Sequence, residues 1–183
     1  MLDKKEFKAI QKDLEDFEEK REEVIKKSRE IIKLSKQVIY GLHRGDNVDA
    51  LVKSIAKKVK ELPSERYDAG IQNVAVQEYT EAMTLLAVVK GENIPTRKQL
   101  EVDTENYLLG LCDLTGELVR KAVNTAIKGN KEEALKMREI VEDIYGEFLK
   151  FEFRNGELRK KSDSIKWNLN KLEELAYDIK IKN

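Results

Sequence analysis

Residues 74–89 read VAVQEYTEAMTLLAVV. The stretch is apolar at most positions yet carries two glutamates, Glu78 and Glu81. At about 100° per residue, Ile71, Val74, Ala82, Leu85 and Val89 fall within roughly 40° of Glu78. Asn73, Gln77, Thr80 and Thr84 lie on the opposite side and form the expected water face. A helix this apolar belongs inside a helical bundle. That raises the question of why a carboxylate stands in the middle of its buried stripe.

Working outward, the helical period continues on both sides. Residues 3–43 carry Phe7, Ile10, Leu14, Phe17, Val24, Ile31, Val38 and Leu42 in steps of three, four and seven, which predicts one long amphipathic helix. Gly41 is a weak point within it. "RGDN" (44–47) ends it, with Gly45 free to take positive φ and Asp46 or Asn47 able to cap the next helix. A short helix follows over 47–61, then the break "LPSER" (62–66), with Ser64 as the expected cap of a third helix reaching Lys90. Thr96 and Gln99 have capping-box spacing and predict a helical turn at 97–101. Further helices are expected over 104–128, 131–153 and 156–180. Alternation of period two is nowhere long enough for a sheet. The reading is one all-α domain, 1–183, built as a seven-helix bundle.

Composition agrees. Charged residues make up 38% of the 183, aromatics 7%, and only 2 prolines interrupt the chain. Lys plus Arg equals Asp plus Glu at 35 each, so a nucleic acid would have to meet a local basic patch. The high Lys and Glu content is one met in heat-adapted proteins. A single Cys112 forms no internal disulfide and suits a reducing, cytoplasmic setting. The N-terminus is charged from its third residue, unlike a signal peptide, and no apolar run is long enough to span a membrane. Phe7, Phe17, Phe151, Phe153 and Trp167 exceed what one bundle needs to cover, and are expected to anchor contacts between subunits.

A second acidic pair lies in "NYLLGLCDLTGELVRKAVN" (106–124). Apolar residues cover more than half of that helix. Gly110, Asp113, Glu117, Arg120, Lys121 and Asn124 share the polar wedge. Asp113 and Glu117 are four apart and stack on adjacent turns, while Glu78 and Glu81 are three apart. If the two helices pack side by side, four carboxylates point at one place. They repel unless a cation neutralises them. Oxygen-only ligands select a hard ion, Mg²⁺ or Mn²⁺, which suits phosphate chemistry. Gly110 would admit a close approach of backbone or substrate. The same spacing also suits a solvated face for Asp113 and Glu117, or a structural ion pair of Glu78 with Arg120. His43 has no second histidine for a zinc site and reads as an end-of-helix packing or capping residue; Cys112 reads as core. "KKSREIIKLSK" (26–36) sets Lys26, Arg29, Lys33 and Lys36 on one side of the first helix, as a phosphate track or a solvated face.

The segments "VQEYTEA" (76–82), "YLLGLCDLTGELVRKAVN" (107–124) and "SREIIKLSKQVIYGLHR" (28–44) resemble those of the translin superfamily, in particular its nuclease branch, translin-associated factor X (Trax). The resemblance spans nearly the whole chain. It implies a seven-helix subunit assembling into a closed octameric shell, here a homo-octamer or one shared with a translin-like paralogue. It implies a Mg²⁺-dependent endoribonuclease cutting single-stranded RNA inside that shell. Carried over position by position, the metal-binding and catalytic acids fall on Glu78, Glu81, Asp113 and Glu117, and RNA-binding positions on Arg44, Arg120 and Lys36. The extensions and insertion of eukaryotic Trax are not in these 183 residues, which suggests a minimal prokaryotic, archaeal relative. Two other classes stay open: a non-catalytic translin-like shell that binds single-stranded RNA or DNA, and an all-α nucleotide pyrophosphohydrolase.

Overall fold

The computed structural model describes residues 2–65 and 67–181. Among them are seven helices: α1 Lys4–Arg44, α2 Asp49–Lys60, α3 Ala69–Lys90, α4 Arg97–Leu100, α5 Thr104–Ile127, α6 Lys131–Phe148 and α7 Glu157–Ile181. Local chemistry sets the ends. Asp3 caps α1 through the amide of Lys5, and Gly45 closes it with φ 82°. Asn47 accepts from the Asp49 amide at 2.9 Å at the start of α2. Thr96 and Gln99 form the expected capping box of α4.

Three boundaries differ from expectation. Gly41 does not weaken α1; a Cβ there would meet Val48 Cγ1 at 2.6 Å, so its bareness lets α2 close on α1. The third helix starts at Ala69 under a cap from Asp68, not at Ser64: Ser64 and Glu65 form bends, and Tyr67 and Asp68 a turn, ahead of the helix. Arg66, part of the "LPSER" break, lies outside the described residues. α6 stops at Phe148, five residues early, where Phe148, Phe151 and Phe153 gather into a ring cluster with centroids 5.7–6.0 Å apart.

α1, α3, α5 and α7 pack in that order, α2 covering α1 and α3, and α6 covering α5 and α7. Ile31, Val38, Ile55, Leu85, Leu114, Leu118, Ile165 and Leu172 fill the core. With α1 on one flank and α5 on the other, α3 has almost no water face. Thr80 and Thr84, placed outward by the helical wheel, are completely buried, and Gln77 is nearly so. Their polar atoms are satisfied locally: Thr80 Oγ1 donates to the Val76 carbonyl, Thr84 Oγ1 to that of Thr80, and Gln77 Nε2 to Asn106 Oδ1. Val74, assigned to the buried stripe, is 42% exposed. The N-terminal end of α1 exposes Phe7, Ile10, Leu14 and Phe17, the last set against the Tyr67 ring at 5.4 Å. Trp167 and Phe151 are also exposed, whereas Phe153 is half-buried against the core. Among the described residues no helix is long and apolar enough to cross a membrane.

Candidate active site

The site forms where α3 crosses α5. Gly110 of α5 is buried against α3, and a Cβ there would meet Thr80 Cβ at 2.6 Å and the Gln77 carbonyl oxygen at 3.0 Å. The close approach expected of Gly110 is thus that of the neighbouring helix. It brings the two acidic pairs together. Glu81 feels the charges of Asp113, Glu78 and Glu117 at once.

Three of the four acids are held by cations. Glu78 Oε1 pairs with Lys36 Nζ of α1 at 3.2 Å. Asp113 Oδ2 accepts from Lys161 Nζ of α7 at 2.6 Å. Glu117 Oε2 meets His43 Nε2 of α1 and lies 3.6 Å from Arg120. Glu81, 9% exposed, is left without a counter-ion of its own. Burial, then the charges of Asp113, Glu78 and Glu117, push its carboxyl up to about 8. At neutral pH it therefore holds a proton. Asp113 is raised by burial, with Lys161 pulling against that. Glu117 is lowered, first by its hydrogen bond to His43, then by Arg120. Burial raises the Cys112 thiol to about 12, which makes it an inert core residue, as expected.

Glu81, not Glu78, is therefore the carboxylate buried without compensation. Glu78 does not pair with Arg120, which goes to Glu117 instead. Two participants were missed. His43 is not an end cap: its ring is buried, Nε2 faces Glu117, and Nδ1 has no partner. The available signal was its seven-residue spacing from Lys36, which puts both on one face of α1. Nothing in the pattern of α7 announced Lys161. Arg44 stands apart from the acids, over the Tyr40 ring and 3.2 Å from Asp46.

The donor chemistry fits a hard divalent cation: four carboxyls with one proton-holding member whose own neighbours disfavour its ionisation. As the side chains stand, no three His, Cys, Asp or Glu groups among the described residues are grouped to hold a metal ion. In this arrangement Lys36, Lys161 and His43 hold Glu78, Asp113 and Glu117.

Residues 19–183 match the model of the Translin family. The chain belongs to the translin family. Within it, the chain is 30% identical over 109 residues to a translin of Gallus gallus, covering 57% of this chain and 48% of that protein. It is 30% identical over 135 residues to the uncharacterized protein MJ0175 of Methanocaldococcus jannaschii, covering 69% and 61%. The chain thus spans about half the length of the curated relatives it matches. Two solved structures match nearly end to end. Apo-NeC3PO has a TM-score of 0.88 at 33% identity, with 97% of each chain covered. AfC3PO in complex with duplex RNA has a TM-score of 0.88 at 27% identity, covering 97% of this chain and 98% of that one. The seven helices of the described residues are thus arranged as in these two structures.

Proposed function

We propose that this translin-family chain is a Trax-like, Mg²⁺-dependent endoribonuclease acting on single-stranded RNA in the cytoplasm. The observation that carries the reading is Glu81, a carboxyl at the meeting point of two acidic pairs, held protonated by its burial and then by the three surrounding acids. A bundle gains nothing in stability from that arrangement. A site that takes up a hard cation does gain, because the cation supplies the missing positive charge.

Glu78, Glu81, Asp113 and Glu117 would hold Mg²⁺, or Mn²⁺, partly through water. When bound, the ion supplies Lewis-acid stabilisation of phosphate oxygens. With that ion in place, Lys36 and Lys161 would no longer be needed by Glu78 and Asp113 and would be free to meet RNA phosphate. Glu81 would give its proton up to solvent and, as a carboxylate, would orient the water that attacks the phosphodiester. His43 keeps Glu117 turned into the site. Arg120 and Arg44 add positive charge along the RNA. The exposed seam Phe7, Ile10, Leu14 and Phe17 supports assembly, read here as a homo-octamer.

The runner-up is a translin-like shell that binds nucleic acid without cutting. It draws support from the translins among the relatives and from the duplex RNA bound by AfC3PO. One experiment separates the two: incubation of the purified protein with single-stranded and duplex RNA, in Mg²⁺ and in chelator. Cleavage of the single strand that stops in chelator is the expected result. Retention of both RNAs uncut in Mg²⁺ would leave the binding shell.

A further inference from the structure

A groove of about 670 Å³ lies beside the acidic cluster, between α1 and the start of α2. Its floor is apolar, with Ile32, Val48 and Leu51. Its rim carries Arg29, Lys33 and Lys36, all exposed. Arg29 and Lys33 make no ion pair among the described residues. Lys36 both lines the groove and touches Glu78, so one side chain joins the rim of the groove to the acids. One turn beyond Lys36, Tyr40 stands 55% exposed on the groove wall, with the Arg44 guanidinium 5.7 Å from its ring centre.

An open apolar floor next to unpaired cations does not serve the fold. It fits a flat apolar group that brings negative charge with it. We infer that the groove is a nucleotide seat: one base of a single-stranded nucleic acid rests on the floor against Tyr40, its flanking phosphates on Arg29 and Lys33, and the strand continues past Lys36 to the four acids. At 1.5 Å per residue, Lys33 and Tyr40 are roughly 10 Å apart along α1, room for one nucleotide. Aromatic stacking accepts any base, so this seat sets grip and register on the strand and does not read its sequence. The inference rests on the nuclease reading only in naming the acids as the place where the strand is cut.

The test is equilibrium binding by the full chain in chelator, followed by fluorescence anisotropy. Two fluorescein-labelled probes are compared: a short oligouridylate, and an abasic ribose-phosphate oligomer of equal length and charge. Tyr40→Ala should weaken oligouridylate binding about tenfold, the scale of one lost stacking contact, and leave the abasic probe unchanged. Tyr40→Phe should bind both as the parent does. Lys33→Ala should weaken both probes alike and lower the salt slope by about one. Equal binding of both probes by Tyr40→Ala and parent, or an equal loss on both, would overturn the seat. So would a change in assembly size of Tyr40→Ala in light scattering, which would make the groove a contact between copies. A parent that binds oligouridylate through Tyr40 but cuts nothing in Mg²⁺ would uphold the seat and sink the nuclease reading.

Discussion

Replacing Glu81 by Gln distinguishes a frustrated cation site from ordinary packing. The Glu81 carboxyl titrates at about 8 in the folded chain, against an ordinary value of 4.5. Between those values the folded chain keeps a proton that the unfolded chain has released. Its contribution to stability is therefore fully present below the unfolded value and is lost as pH rises toward 8. At pH 7 the loss has accumulated over about 2.5 pH units, which at ~1.36 kcal/mol each is about 3 kcal/mol. Above pH 8 it levels off at about 5 kcal/mol by the same arithmetic. Gln matches Glu in size and has no proton to lose. In chelator, Glu81→Gln should gain about 2–3 kcal/mol over the parent at pH 7, roughly 5–10 °C in Tm for a chain of this length. It should gain little at pH 4.5. In Mg²⁺ the same preparation should cut RNA about 10²–10³-fold more slowly. Thermal unfolding by circular dichroism at pH 4.5, 7 and 9, with cleavage rates on the same samples, is the assay. A variant that melts below the parent at pH 7, or a gain independent of pH, would refute the reasoning.

Four other outcomes are expected. Mg²⁺ added at pH 7 should release close to one proton per site, measured by titration in lightly buffered solution, because Glu81 must ionise to bind it; no release would remove Glu81 from the metal site. Gly110→Ala forces a methyl group to within 2.6 Å of Thr80, so it should cost about 1–3 kcal/mol in denaturant unfolding and slow cleavage by spreading α3 from α5. His43→Ala takes away the largest influence lowering Glu117, so Glu117 should titrate higher and cleavage should fall at neutral pH; a parental pH–rate profile would make His43 packing alone. Phe7→Glu with Leu14→Glu, both on the free end of α1, should leave the helical signal intact but shift light scattering from assembly to smaller species.

Much of this protein is local, and the local part was legible in the chain. Gly45 and the Thr96–Gln99 box mark helix ends through bonds made within a few residues. Glu78 and Glu81, or Asp113 and Glu117, share a face because three or four residues make a helical turn. Those spacings were enough to bring out four acids, and the motifs around them the family. What a helical wheel omits is the neighbour. It placed Gln77, Thr80 and Thr84 toward water because it knows angles about one axis only. In the fold, α5 covers that side, Gly110 permits the contact, and the hydroxyls bond back to their own helix. The same blindness assigned the uncompensated carboxylate to Glu78. Whether a carboxylate is stranded depends on which partners reach it, and these arrive from far along the chain: Lys161 is 48 residues from Asp113, and His43 is 74 from Glu117. Lys36 reaches Glu78 from α1, while Glu81 is buried beside three acids with only the more distant charge of Lys161 set against them. Spacing along the chain determined which acids could meet, because helix geometry is set by the backbone. Packing decided which of them keeps its proton, because burial and charge act through space.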